Sequence, residues 1–290
     1  MTLGDFAVQY DELCVGEPQM GLVGLLPWDG RIFGFPVGEY HCGDCTQVAA
    51  QAGNVRSALD RWATSNDVEV CVASVPAINR DWIALLPELG FHFVDFTLVL
   101  TLPGLQRSRL PESRITLRPA QLADAPAAAA VAGRAFQFGR YYADARFPNA
   151  LAGLRFHQWI ENAITCADER SVVFVMSGPG CVDGFAHVTI DNGVANLALP
   201  AIDVHLQKTL LGFELYLATL RALQRLGVKQ VTGKISCANT GVANICAMLG
   251  FRFSGPEAVF HWHSPAARHL NPPTLRQKEA SSGNSVASAS

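Results

Sequence analysis

The sequence has no excess of basic residues and little charge of either sign. Charged residues make up 16% of the 290 residues, and 22 Lys and Arg against 25 Asp and Glu leave a formal net charge of −3. Proteins that bind nucleic acid concentrate Lys and Arg on one surface to neutralise phosphates. We therefore expect no nucleic-acid partner.

Long apolar segments are also missing. No run reaches the roughly 18 apolar residues that a membrane helix needs. The first segment carries Asp5, Asp11 and Glu12 instead of a basic region followed by an apolar one, so it lacks the pattern of a secretory signal. We expect no membrane partner, and the cytoplasm is the predicted location.

Metal and disulfide motifs are scarce, although the chain has eight cysteines. They are spread through apolar segments of a long chain, which is typical of buried thiols in a reducing compartment. Cys42 and Cys45 form one Cys-x-x-Cys motif, but a structural zinc needs four ligands, and no second motif or matched His pair follows. We therefore predict a turn at this motif and no bound metal. A redox or zinc role is the alternative.

Composition divides the chain into four segments. We predict a first unit over residues 1–102, a linker over 103–113, a second unit over 114–264 and a disordered tail over 265–290. The linker is polar and punctuated by prolines, and the tail is rich in Ser and poor in hydrophobic residues.

One pattern occurs twice. Asn79 and Asn239 each precede an apolar, helix-like run that closes with Leu-Gly-Phe at Gly90 and Gly250, with the same spacing in both copies. A strand is predicted before and after each helix, which indicates a duplication, although two copies fall short of a solenoid. The first copy has no counterpart to the segment 207–212, so we expect it to have the fold without a cofactor loop.

The second unit has a definite order of predicted elements. Two helices precede three strands, and Asn192-Gly193 between the last two strands is typical of a tight hairpin. A helix with apolar residues on one face then follows residues 207–212, and a strand, the Asn239 helix and a final strand complete the unit.

This order resembles the GNAT superfamily of acyl-CoA-dependent N-acetyltransferases. Two segments, Trp28 to Gly34 and Arg140 to Phe147, further resemble motifs of the TDP-fucosamine N-acetyltransferase group, with Tyr142 where that group has His. The resemblance implies an α/β (α+β) architecture, in which a GNAT acyl-CoA N-acyltransferase fold is preceded by a GNAT-like half-domain. It also implies acetyl-CoA as co-substrate and a nucleotide-linked amino sugar as acceptor.

The resemblance places the cofactor on a loop and a helix start. Backbone N–H groups at a helix N-terminus favour a diphosphate, and the preceding strand would offer its backbone to pantetheine and to the oxyanion. Leu210 stands where the family has Gly. The cofactor residues that this implies are Ile202, Val204, Gln207, Lys208, Thr209, Leu210, Leu211, Gly212 and Asn239.

Three residues are candidates for acid–base chemistry. Cys246 takes the position at which the family usually has a Tyr that protonates the leaving thiolate. A thiol can donate a proton, but Cys is among the most buried residue types, so core packing is the stronger interpretation. Tyr216 and His187 are possible substitutes, and a His that is exposed or satisfied is the alternative at position 187.

Arg140, Tyr141, Asp144 and Arg146 are the candidate acceptor residues. Arginines suit a diphosphate, an aromatic ring can stack on a base or sugar, and a carboxylate can hold an amine. The alternative is a solvated loop after a helix. Beyond the amino-sugar acetyltransferase, the sequence leaves open a binding protein that has lost turnover and an enzyme for another amine or a peptide. A homodimer is possible.

Overall fold

A single mixed sheet runs through the described part of the chain in the computed structural model of the protein, which describes residues 10–12, 20–166, 169–178, 181–265 and 267. Its strand order is β1-β2-β3-β4-β11-β5-β10-β9-β8-β7-β6. The strands are β1 (Tyr10–Glu12), β2 (Gly21–Leu25), β3 (Val37–Cys42), β4 (Val70–Pro76), β5 (His92–Pro103), β6 (Leu117–Pro119), β7 (Ser171–Gly178), β8 (Cys181–Asp191), β9 (Val194–Ile202), β10 (Gln230–Ser236) and β11 (Arg252–His263).

Helices cover both faces of this sheet, and none that the structure describes is long and apolar enough to cross a membrane. They are α1 (Pro27–Phe33), α2 (Cys45–Ala50), α3 (Ala52–Ser65), α4 (Arg80–Glu88), α5 (Ala125–Ala135), α6 (Arg140–Ala143), α7 (Asn149–Thr165), α8 (Leu211–Arg225) and α9 (Thr240–Met248). The mixed α/β fold class is confirmed. The predicted tail lies outside the described residues, apart from Pro265 and Ala267.

The last strands of the two repeated units change places. β5 follows α4 in the chain but pairs with β10 on one side and β11 on the other. β11 follows α9 but pairs with β4. Each half of the sheet is therefore completed by a strand from the other half of the sequence.

The exchanged strands also contribute to the cores. Along β11, Ala258, Phe260 and Trp262 pack under α3 and α4, whereas Val259 points to the opposite face and packs with α1, α6 and the start of α7. In the second half, α8 and α9 cover one core, and α5 and α7 cover another. Helix α7 contributes to a core in each half of the sheet. Ala152 packs in the core with α1 and α6, and Ile160 packs in the core with α5.

The repeated helices α4 and α9 begin in the same way. The side chains of Asn79 and Asn239 accept hydrogen bonds from the backbone N–H groups of Trp82 and Val242, each at 3.2 Å. Both helices are followed by glycines with positive φ, as expected for a left-handed cap. The sequence-predicted helix starts are confirmed, and Asn239 has a capping role.

Residues 103–113, predicted as a linker, are held against α8. Leu105 is fully buried in the core under this helix. The Gln106 amide donates to the backbone carbonyls of Gln224 and Val228, and Arg221 donates to those of Leu110 and Pro111. The segment therefore carries the chain from β5 along α8 in a fixed position.

Shortening Phe260 to alanine should destabilise the whole protein, because its ring, 1% exposed, lies in the core under α3 and α4. We expect Phe260→Ala to lower the free energy of unfolding by roughly 3–5 kcal/mol. Phe253→Ala, on the same strand but 38% exposed, should cost less than about 1 kcal/mol. Urea unfolding followed by circular dichroism and by tryptophan fluorescence measures both; equal losses for the two variants would contradict this packing.

Candidate active site

The parallel strands β9 and β10 separate at their carboxyl ends. They pair from Val194 with Gln230 as far as Leu197 with Gly233. Beyond that point β9 continues beside β8 to Ile202, and β10 continues beside β5 to Ser236. In this region β9 is paired only with β8, and β10 is paired only with β5. Their facing backbone edges therefore border an opening in the middle of the sheet.

A β-bulge lies at the start of this opening. His187 of β8 is opposite Leu199, and the next residue, Val188, is opposite Leu197, so Ala198 is the extra residue on β9. Bulges leave one residue out of the ladder and re-aim its neighbours. The bulge therefore lets backbone groups of β9 point into the opening.

The chain turns from β9 into α8 at the same end of the sheet. A short 3-10 turn and the loop 207–210 lead to Leu211, whose N–H donates to the Thr209 hydroxyl at 3.2 Å. The next N–H groups of the first turn have no intrahelical acceptors, as at every helix start. Leu210 points outward and is 72% exposed, so its side chain does not fill the helix start.

The other predicted cofactor residues mainly support the loop. Gln207 donates through its amide to the Ala135 carbonyl at 2.8 Å, and Lys208 has φ of 65°, a left-handed conformation. A Cβ on Gly212 would lie 3.4 Å from the Ile245 side chain, which is an ordinary packing contact between α8 and α9. Ile202 is buried in a core with α8, and Val204 is exposed.

The corresponding place in the first half is filled. β3 and β4 pair in parallel as far as Tyr40 with Ala73, and the ring of Tyr40 is buried against Trp82 and Phe91. Helix α2 begins with Asp44, whose carboxylate accepts from the N–H of Gln47. An acid at this helix start opposes anion binding. Among the described residues, the two halves share a ladder of four parallel pairs and differ in the buried Tyr40 ring and in the helix cap. Asp44 caps α2, whereas α8 has no side-chain cap, and Glu214 in its first turn accepts from the Ser113 hydroxyl and the Arg114 N–H.

Cys246 faces the core rather than the opening. Its side chain is 0% exposed and packs between α9 and the residues of α8 that include Tyr216. Burial raises the pKa of the Cys246 thiol to about 12, and it raises the pKa of Tyr216 as well. The equivalent residue after Asn79 is Leu86, also fully buried, so this is a core position in both copies. The geometry lends no support to proton donation by Cys246 or Tyr216.

His187 is also buried, between β7 and α7. Trp159 donates its indole N–H to Nδ1 at 3.1 Å, and Nε2 lies 2.9 Å from the Ser171 hydroxyl. Because Nδ1 accepts, the proton is on Nε2, which donates to Ser171. Burial lowers the pKa of His187 to about 4. The lone pair that a general base would use is therefore already engaged.

Sequence reasoning missed Asp95, on the exchanged strand β5. Its Oδ1 accepts from the Ser236 hydroxyl at 2.9 Å, and its buried Oδ2 has no partner among the residues that the structure describes. Burial raises the pKa of Asp95 above its usual value. Asp95 is opposite Val259 and so lies on the face of α1, α6 and α7, beside the carboxyl end of β10. An acid within the apolar run of β5 is the signal that could have revealed it.

The predicted acceptor residues Arg140 and Tyr141 meet an acid from the first half. Asp29 accepts from Tyr141 at 2.7 Å, from Arg140 at 3.1 Å and from Arg155 at 2.6 Å. Burial opposes ionisation, but the charges of Arg155 and Arg140 bring the pKa of Asp29 below its usual value. This network joins α1 to α6 and α7.

Two tryptophans continue the same interface. The rings of Trp28 and Trp159 are 5.6 Å apart, and the Arg155 guanidinium lies 4.9 Å from the Trp28 ring and 5.0 Å from the Trp159 ring. Since Trp159 also contacts His187, the interface reaches the strands of the second half.

The remaining two acceptor candidates belong to a second group, which adjoins this network where the Tyr141 and His261 rings lie 5.5 Å apart. Asp144 is buried and accepts from His261 at 2.8 Å and from His263 at 2.6 Å. Arg146 contacts His92 beside it. Asp144 is thus buried, whereas Arg146 is exposed, and both contact histidines that sequence reasoning did not connect with them.

Acid should destabilise the protein through His187. Because its pKa is about 4 in the folded chain and about 6.5 when unfolded, the unfolded chain binds an extra proton between these values. The stabilisation is complete above pH ~6.5 and is lost as the pH falls, at up to ~1.4 kcal/mol per pH unit. We expect His187→Gln to reduce this slope in urea unfolding from pH 4 to 7, and the rest of the slope includes the buried His261, whose pKa burial also lowers to about 4. The partly exposed His157→Gln is the control variant. An unaltered slope in His187→Gln would refute the assignment.

Comparisons with known proteins extend the description of the fold. No protein-family model and no curated protein matches the sequence. Among solved structures, the chain is similar to a GCN5-related N-acetyltransferase from Sphaerobacter thermophilus (11% identity, TM-score 0.60, 85% of this chain and 77% of that one). A GCN5-related N-acetyltransferase from Kribbella flavida is 15% identical, with a TM-score of 0.58 over 90% of this chain and 91% of that one.

A tandem GNAT protein from the clavulanic acid biosynthesis pathway is also similar, at 17% identity and a TM-score of 0.53, over 86% of this chain and 80% of that one. Each similarity covers 85% or more of this chain and so extends over both halves of the sheet. The chain therefore has the fold of the GCN5-related N-acetyltransferases.

Proposed function

We propose that the protein is an acyl-CoA-dependent N-acetyltransferase that moves the acetyl group of acetyl-CoA to an amine. The observation that carries the proposal is the opening between β9 and β10, with a bulge at Ala198 and the start of α8 at the same end of the sheet. Two free backbone edges suit the amides of pantetheine, and a helix N-terminus suits a diphosphate. The fold similarity supports the same class of reaction.

The reaction then follows the layout of the opening. CoA would place its diphosphate at the first turn of α8, with Lys208 as a nearby cation, and its pantetheine arm between β9 and β10. The amine nitrogen attacks the thioester carbon, and N–H groups at the Ala198 bulge stabilise the oxyanion. The carbon–sulfur bond breaks, and the thiolate takes a proton from water.

Asp95 is the residue that we assign to the amine. Its unpartnered Oδ2 lies on the face of the sheet that α1, α6 and α7 cover, and the Ser236 hydroxyl fixes the other oxygen. A buried carboxylate holds an ammonium group strongly, and its raised pKa brings it closer to that of a useful base. Asp95 would bind the ammonium form and take one of its protons, which frees the lone pair that attacks the thioester. The second proton, lost from nitrogen as the amide forms, passes through water to the thiolate.

The finer prediction of a nucleotide-linked amino sugar rests on the interface around Asp29. Arg140 and Arg155 both pair with Asp29, Glu39 is a second acid that acts on Arg140, and the Arg155 guanidinium lies beside the Trp28 and Trp159 rings. Arginine and an indole ring suit a phosphate and a base or sugar. We propose this acceptor class, and other small amines or a peptide are the alternatives. A cytoplasmic location and a homodimer stay predictions.

The buried Cys246 and Tyr216 favour a second candidate function, a binding protein without turnover. Assays of CoA release separate the candidates. We would offer acetyl-CoA with a TDP-4-amino-4,6-dideoxyhexose, a free amino sugar, a simple alkyl amine and a peptide with a free N-terminus. Release with the nucleotide sugar alone supports the finer proposal, and release with another amine only corrects it. Acetyl-CoA binding without release in any case supports the binding protein.

An acid at the start of α8 should weaken acetyl-CoA binding. Leu210→Asp puts a negative charge at the exposed first turn, where we place the diphosphate, and the Kd for acetyl-CoA should rise at least about tenfold, or ~1.4 kcal/mol. Leu226→Asp is the matched control, because Leu226 is 59% exposed at the other end of the helix. Calorimetry measures both variants, and equal affinities would argue against a diphosphate at this helix.

Removing the charge of Asp95 should slow turnover without affecting the cofactor. We expect Asp95→Asn to lower kcat by about 10²–10⁴ and to leave the Kd for acetyl-CoA unchanged. The amide can still accept from Ser236, so the fold should persist, as circular dichroism would show. Asp191→Asn, in the exposed β8–β9 hairpin, is the control. Turnover that is unchanged in Asp95→Asn would remove this residue from the mechanism.

A further inference from the structure

A cluster of four side chains lies under the face of α6, apart from the opening between β9 and β10. His92, Asp144 and His263 each present one ligand-type atom, and these three atoms lie within 4.8 Å of one another. His261 is the fourth member, through its Nδ1 at 2.8 Å from Asp144. We call these residues the histidine cluster.

The sheet exchange assembles the cluster. His92, on β5, lies directly opposite His261, on β11, and His263 follows two residues later on the same face. Asp144 follows α6 directly, and its side chain reaches this face of the sheet. Its carboxylate also accepts a hydrogen bond from the backbone N–H of Arg146 at 2.9 Å. Three histidines from two neighbouring strands therefore surround one buried carboxylate.

The four side chains of the cluster cannot satisfy all of their hydrogen-bonding atoms with one another. Nε2 of His261 is buried without a partner among the described residues. Nε2 of His92 lies 3.4 Å from Oδ1 of Asp144, which would need a proton on this nitrogen, but it also lies 2.8 Å from the Arg146 guanidinium, which would need a lone pair. A neutral imidazole nitrogen cannot satisfy both. His92 is partly exposed, whereas the unsatisfied Nε2 of His261 is buried, and a buried polar atom in that state calls for an explanation such as a bound ion or water.

We propose that the histidine cluster binds a divalent transition-metal ion of the Zn²⁺ class. Nε2 of His92, a carboxylate oxygen of Asp144 and Nε2 of His263 are the ligands, and water completes the coordination. Two imidazoles and one carboxylate form a donor set that suits zinc and its first-row neighbours. The hydrogen bond from His261 Nδ1 to Asp144 orients the carboxylate, as partners of metal ligands commonly do.

Arg146 is the competing cation. Its guanidinium contacts both ring nitrogens of His92, so it supplies positive charge beside Asp144 when no metal is bound. Arg146 is exposed, and its side chain can rotate into solvent without disturbing a core. The metal therefore displaces Arg146 from His92. Loss of Arg146 should therefore strengthen metal binding. A cluster with a purely structural role would not show this effect.

The test uses the full chain, freed of metal with EDTA and then titrated with Zn²⁺ by calorimetry and with Co²⁺ by absorption spectroscopy. We expect one ion per chain and a d–d spectrum without thiolate charge-transfer bands, because the ligands are nitrogen and oxygen. His92→Gln and Asp144→Asn should each weaken binding by about 100-fold or more, and Arg146→Ala should tighten it.

Two controls keep the outcome clear. His157→Gln removes a histidine that lies beside a carboxylate elsewhere, and Cys42→Ser with Cys45→Ser removes the motif most able to bind zinc adventitiously; neither should change the affinity. If Asp144→Asn does not fold, His92→Gln decides, since His92 is partly exposed. The proposal is overturned if no Zn²⁺ binds at millimolar concentration, if the thiolate bands appear, or if His92→Gln and Arg146→Ala bind like the parent chain. Acetyl-CoA binding is a separate measurement, so failure of either proposal leaves the other standing.

Discussion

The hydrogen bonding of β5 on both of its edges is the constraint on which the rest of the structure depends. With β10 on one side and β11 on the other, this strand turns two similar halves into one continuous sheet. It also carries Asp95 to the end of β10 and His92 to the side of His261. Without the exchange, β5 would lie in the first half of the sheet, and Asp95 and His92 would be separated from Ser236 and His261.

Much of this architecture could be predicted from local sequence signals. Asn79 and Asn239 mark the starts of α4 and α9, Asn192-Gly193 marks a hairpin, and the apolar stripe of α8 gives its buried face. These signals depend on residues that are close in the chain. The choice of sheet neighbours does not, since β5 and β11 carry similar patterns and either could pair with β4 or β10. A short helix, α1, was also missed, because Trp28 and Phe33 are apolar in either conformation.

The candidate site shows the same division. The loop before α8 was found because its residues follow one another in the sequence. The roles at positions 140–146 depended on contacts that the sequence does not contain: Arg140 meets Asp29, and Asp144 meets His261. At Cys246 the resemblance suggested a proton donor, whereas the first copy of the repeat already has Leu86 at that place. Comparison of the two copies would have favoured packing.

The exchange of strands also bears on how the chain reaches this structure during synthesis. The place between β4 and β5 is filled by residues 252–263, which leave the ribosome only after the whole of the first half and most of the second have been made. Until then the first half exposes two unpaired strand edges and the apolar surface that Phe260 and Trp262 later cover. Contacts of such long sequence separation form slowly, and open edges invite pairing with other chains. It follows that the first half cannot complete its fold ahead of the second, and that a ribosome stalled before β11 would release an aggregation-prone sheet.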